Sequence, residues 1–299
     1  MFESILLPLD GSELAEQAIP YVRDLSVQLN AAIHLVHVCP TVHQNIAHMH
    51  KIYLDSVETT LRKEIKDLWS LPGDPTIKSQ ILDGDPAPAI FDYIKQNNIN
   101  LVAVTSNGAS GLRSWAMGNV ADKVVRGAGI PTLLVRIKES PPVVRKGFIQ
   151  KILLTLDSSE ASKIAVPYGA ELALRLKAKI TLFGMAQTVY AQNLDGMGVG
   201  VGVNWDSVDA ATQKYTEDYL LVVENELKAK GIDVNHVSTL GIDAASEILE
   251  LEKKLTADIV VMATRGRSGI ARWAFGSTAE KVLREGELPL LLIREPPGK

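Results

Sequence analysis

The sequence holds 299 residues, 46% hydrophobic and 22% charged, a balance that excludes a disordered or fibrous chain and is long enough for two ordinary domains. A formal net charge of −4 supplies no overall basic field for nucleic acid, although it leaves room for a local patch. One cysteine, Cys39, cannot form an intrachain disulfide; with no charged and apolar leader after Met1 and no run near ~18 apolar residues, the chain reads as cytoplasmic and not membrane-bound.

The first strand is predicted at residues 4–9 and is followed by Asp10. Ser12 with Glu13 behind it supplies a helix start, after which Leu14, Ala18, Tyr21, Val22 and Leu25 recur at helical spacing. Further strands are predicted at 32–38, 76–82, 101–104 and 132–136, with helices between them. Pro86 and Pro88 open the third helix, where the first turn needs no backbone donors. His34 and His37 stand at odd spacing in the second strand, so they point to opposite faces and read as partly buried core residues. Cys39 at its end reads as a small hydrophobe. His43, His48 and His50 fall in what reads as a loop before the second helix, at spacings that fit no regular ligand scaffold, so no metal site is predicted. Residues 138–147, with paired prolines and charges, suit an exposed linker.

Beyond the linker the pattern repeats. Residues 151–157 followed by Ser158, Ser159 and Glu160 echo residues 4–10 followed by Gly11, Ser12 and Glu13. Gly108, Gly111, Trp115, Gly118, Lys123, Val124, Arg126, Pro131 and Arg136 each find an identical residue 158 positions on. The early copies stand 147 apart, so the second carries an insertion, which falls in the glycine-rich stretch 193–204, read as a flap, an interaction arm, or equally a disordered or simply packed loop. Strands are predicted again at 151–156, 179–185, 233–240, 258–262 and 290–294. Short apolar runs alternating with helical periods are the pattern of βαβ units. Two domains follow, 1–138 and 150–299, each an α/β sandwich with a five-stranded parallel sheet. An order 3-2-1-4-5 would set strands one and four together at the switch point, with a ligand outside their carboxyl ends.

The turn from Met262 through Gly276, Ser277 and Thr278 joins the fourth strand of the second copy to a helix. Glycines there let a ligand approach the backbone, and the helix start presents free N–H groups and the positive end of its dipole. Arg265, Arg267 and Arg272 are candidates for phosphate contacts or plain loop charges. Trp115 and Trp273, in equivalent places, read as packing anchors for their loops. Neither copy has a P-loop or a dinucleotide fingerprint.

These features resemble the universal stress proteins in tandem form, over nearly the whole chain. Nucleotide-binding members carry Gly-x-x-Gly, nine residues, then Gly and Ser or Thr; here Ala263-x-x-Gly266, nine residues and Gly276-Ser277 stand in that pattern. The resemblance implies an adenine nucleotide alpha hydrolase-like fold. It implies ATP, ADP or AMP as ligand, with Mg as an optional companion. It places Asp157 at ribose or adenine, Met185 and Met262 at the base, and Ala263, Gly266, Gly276, Ser277 and Thr278 at the phosphates, where Arg267 joins the candidate nucleotide contacts by its charge. The first copy departs further: Asp10, Val38, Val104, Gly108 and Gly118 hold the matching positions, but Thr105 and Asn119 replace the first glycine and the hydroxyl. The expected function is a stress-response regulator that senses nucleotide occupancy, mainly through the second copy, with strands 131–136 and 289–294 pairing across the two halves and a homodimer as a further step. No triad or metal box is present, which leaves slow ATP hydrolysis or a nucleotide-free scaffold as the alternatives.

Overall fold

The computed structural model describes residues 1–39, 47–70, 73–106, 117–139, 145–188, 204–265 and 275–294. It divides into two compact units, Met1–Ile149 with Leu288–Lys299, and Gln150–Glu287.

In the first unit, β1 (Ser4–Pro8), β2 (Ala32–Cys39), β3 (Ile77–Asp83), β4 (Leu101–Thr105) and β5 (Thr132–Val135) alternate with helices α1 (Glu13–Glu16), α2 (Ile19–Leu29), α3 (Ala47–Trp69), α4 (Pro86–Gln96) and α5 (Asn119–Gly127). The sheet order is β3-β2-β1-β4-β5, all parallel, with Ile5 opposite both Ile33 and Leu101. Every residue of β4 and β5 is buried, as expected for a parallel sheet covered on both faces. The last strand, β10 (Leu290–Ile293), adds antiparallel to β5, with Leu291 opposite Leu133. Division by sequence repeat and division by packing therefore differ at this strand.

The second unit repeats the plan with β6 (Lys151–Thr155), β7 (Lys179–Gln187), β8 (Val234–Gly241) and β9 (Ile259–Ala263), ordered β8-β7-β6-β9 and parallel. Its helices are α6 (Glu160–Lys163), α7 (Ala165–Leu176), α8 (Trp205–Lys228), α9 (Ala244–Lys254) and α10 (Ser277–Glu285). Gly184 of β7 lets α8 lie close: a Cβ there would come within 3.1 Å of Leu220 and Thr216. The equivalent residue in β2 is His37, buried and stacked on His50 of α3 with ring centroids 4.1 Å apart.

Strand ends agree with the sequence reading to within two residues, whereas the helix after β1 differs. The apolar pattern reads as one helix, but the structure has α1 and α2 with a break at Gln17 and Ala18. Pro20 in the first turn of α2 lacks an N–H and would crowd the carbonyl of Glu16, so the chain restarts. Pro167 stands at the same place after α6. His48 and His50 belong to α3 and not to a loop; His43 lies outside the described residues. His34 and His37 are buried as expected, His34 Nδ1 2.9 Å from the Tyr93 hydroxyl and His37 Nδ1 2.9 Å from the Leu9 carbonyl. The end of the presumed linker is docked: Gly147 N–H donates to buried Asp24 at 2.8 Å, and Phe148 meets Tyr21 edge to face. The insertion at 193–203 and both tryptophan anchors lie outside the described residues.

Candidate functional site

Parallel pairing of β6 with β9 brings the residues that follow their carboxyl ends together. Asp157 leaves β6, and its orientation is set locally: Ser159 donates to Asp157 Oδ1 from its N–H at 3.0 Å and its hydroxyl at 2.5 Å. The same Ser159 hydroxyl accepts from Ser162 N–H and caps α6. Ser158 between them is left-handed, φ +64°, as is Gly11 at the same place in the first unit, φ +83°. Asp10 is held identically, Ser12 donating from its N–H at 3.0 Å and its hydroxyl at 2.6 Å.

On the other side, Gly276 N–H donates to the Thr264 carbonyl at 3.0 Å, closing the base of the loop after β9. Helix α10 begins at the next residue with no side-chain cap, so its first-turn N–H groups have no intrahelical or capping acceptor. Gly118 and Ser106 make the matching bond at 2.8 Å before α5, also uncapped by a side chain. Lys281 donates to Asp243 Oδ2 at 2.6 Å and fastens α10 to the start of α9.

Between these ends lies a cavity of about 250 Å³ in the second unit. It brings together Asp157, Met185, Met262, Ala263, Gly276, Ser277 and Thr278 from the predicted set. Gly266 and Arg267 lie outside the described residues. The chemistry is graded: Met185 and Met262 are buried, Asp157 and Thr278 half-buried, Ser277 exposed. Arg265 adds a cation to the lining. Sequence reasoning missed Thr155, Gln187 and the one-turn pair Ala244 and Ile248 of α9. Their signal was positional, since every strand of a parallel sheet ends on this side.

The first unit has its own cavity, about 280 Å³, which brings together Asp10, Val38, Val104, Thr105, Gly118 and Asn119. Gly108 lies outside the described residues. Pro86 and Ile90 of α4 form a wall that sequence reading missed.

A tyrosine stands behind each aspartate. Burial, then the charge of Glu160 and, less strongly, that of Asp157, push Tyr219 up to about 12 against a smaller opposing pull from the Ser162 hydroxyl. Burial, then the bond to Glu16 at 2.9 Å and the charge of Asp10, push Tyr53 up as well. Both stay neutral phenols at any working pH, and neither cavity lining contains histidine or lysine among the described residues. Also among the described residues, no group of three or more acidic, histidine or cysteine side chains could hold a metal ion, and no helix is long and apolar enough to cross a membrane.

The model of the Universal stress protein family matches residues 1–136 and again 149–294. A universal stress protein of Methanocaldococcus jannaschii is 25% identical over 157 residues, 52% of this chain and 88% of the relative. One of Mycobacterium bovis is 22% identical over 220 residues, 74% of this chain and 70% of the relative. The solved structure of a universal stress protein from Archaeoglobus fulgidus superposes with a TM-score of 0.69 at 20% identity, covering 98% of this chain and 99% of that one; this is a likeness of fold.

Proposed function

This chain belongs to the universal stress protein family, with two tandem domains, and we propose that it is a regulatory protein that binds ATP or a related adenine nucleotide through the cavity of its second unit. One observation carries the reading: a single cavity joins the carboxylate of Asp157, two buried methionines and the hydroxyl-bearing, uncapped start of α10. A nucleotide asks for that sequence of chemistries. Its base suits the apolar Met185 and Met262, and its ribose hydroxyls suit an oriented carboxylate. Its phosphates suit Ser277, Thr278, Arg265 and the first-turn N–H groups. Mg would arrive with the phosphates, and no protein ligand is assigned to it.

Occupancy would tie β6, β9 and α10 together and so bias a surface of the protein, with differential affinity as the working quantity. A lining without histidine or lysine among the described residues favours sensing over rapid hydrolysis. The buried lone Cys39 suits the reducing cytoplasm. The antiparallel β5 and β10 pair is the edge through which, by family resemblance, halves would associate within the chain, and a homodimer of whole chains belongs to the same proposal. A thermal shift at millimolar ATP tests the reading, paired with mass spectrometry of the purified protein. A raised melting temperature is expected; no shift together with no co-purified nucleotide would sink it.

A further inference from the structure

We propose that the cavity of the first unit is a separate binding site for an uncharged, largely apolar small molecule, and not a second polyphosphate site. The inference does not depend on what the second unit binds. It rests on a position-by-position contrast between two cavities built on the same strands.

Where the second cavity has Thr155, the first has Pro8, which offers neither a hydroxyl nor an N–H. Thr278 is matched by Val120, and Ser277 by Asn119. Arg265 is matched in sequence by Asn107, and residues 107–116 carry one arginine where 265–274 carry three. No lysine or arginine lines the first cavity among the described residues, yet the carboxylate of Asp10 is kept. A triphosphate placed there would bring several negative charges beside an existing one with no cation in the lining among the described residues. The α5 start offers only about half a positive charge, which cannot offset that.

The walls point to the alternative. Val38, Val104 and Ile90 give aliphatic walls to a half-open cavity of about 280 Å³, at least as roomy as the second one. Val120 lines it while 39% exposed, an apolar rim where the sister site has a hydroxyl. Thr105 and Asn119 supply the few polar groups that orient a neutral ligand in an otherwise apolar site.

The test titrates the full chain with prodan, an uncharged solvatochromic fluorophore, with and without saturating ATP. One prodan per chain is expected, with blue-shifted emission that ATP does not displace, and with affinity about tenfold or more weaker in Val120→Arg, which sets a cation at the rim. Circular dichroism checks that this variant melts like the parent. Val38→Phe, which fills the wall, is the second variant and should also lose the probe. Displacement of prodan by ATP, probe binding unaffected by either variant, or no blue shift at all would each overturn the proposal. So would two ATP per chain by calorimetry with one lost in Val38→Phe. Because prodan and ATP are read separately, absence of an ATP shift with prodan binding intact would count against the nucleotide reading alone.

Discussion

Lys281 reaches across from α10 to donate both to Asp243 Oδ2 at 2.6 Å and to the Ser246 hydroxyl at 2.8 Å, so the helix that opens onto the second cavity is fastened to the N-cap of α9. The Lys281 bond, then that of Ser246, hold the Asp243 carboxyl down at about 2. The folded value lies below the unfolded one, so the stabilisation is present above the ordinary carboxylate range near ~3.9 and lost as pH falls through about 2. Asp243→Asn keeps a good capping residue but loses the charge. It should melt below the parent at neutral pH, and the gap should close between pH ~4 and ~2. A gap that persists undiminished at the acid end would refute the charge account.

Ser158 holds a left-handed backbone that its counterpart Gly11 adopts without a side chain. A non-glycine residue there costs roughly 1–2 kcal/mol, partly offset by the lower entropy of its unfolded chain. Ser158→Gly is therefore expected to stabilise the second unit by about 0.5 kcal/mol, and Ser158→Val to destabilise it. Ser159, which orients Asp157, is untouched by either change. Denaturant melts of the three proteins settle the sign.

Glu224 of α8 is 6% exposed and takes bonds from Lys228 on its own helix and His236 of β8. Burial pushes its carboxyl up, but the two partners outweigh burial and hold it below the usual range. Its contribution is thus present above the unfolded carboxylate value and fades as pH drops through the lower folded one. His236→Leu leaves a buried charge with one partner fewer and should cost about 1–3 kcal/mol. Glu224→Leu with His236→Leu should recover part of that loss, because the uncompensated charge goes too. A double variant less stable than His236→Leu would contradict this.

Much of the site could be read in the sequence because each unit states it once more. Asp10 and Asp157 leave equivalent strands, and Gly118 and Gly276 make equivalent bonds to Ser106 and Thr264. What escaped depends on contacts that pattern does not encode. The apolar spacing of Leu14 and Ala18 is continuous through the break that Pro20 imposes. The pairing of 289–294 with 131–136 is expected from the family resemblance and β10 does join β5, although the apolar pattern of Leu290 to Ile293 alone does not say which strand it joins. Pro86 and Ile90 give no chemical signal, and become walls only because α4 starts above the sheet's carboxyl side. His37 and Gly184 share one register position, and their difference in size is explained only by the helices laid on them.

The two helix-start glycines separate the readings of the two cavities. Gly276 and Gly118 both line a cavity and both carry the backbone bond that closes the loop base. Their φ angles, −64° and −58°, are open to any residue, so Gly276→Val and Gly118→Val place a β-branched side chain at the cavity without backbone strain. If phosphates lie at Ser277 and Thr278, Gly276→Val should abolish the ATP-induced thermal shift while leaving the unliganded melting temperature within a few degrees. Gly118→Val should leave the ATP shift intact and weaken prodan binding, since among the described residues the first cavity has no cation or paired hydroxyls for phosphate. Equal loss of the ATP shift in both variants would mean that the units act as one nucleotide site or two equal ones, and the asymmetry argued from Val120 and Pro8 would be wrong.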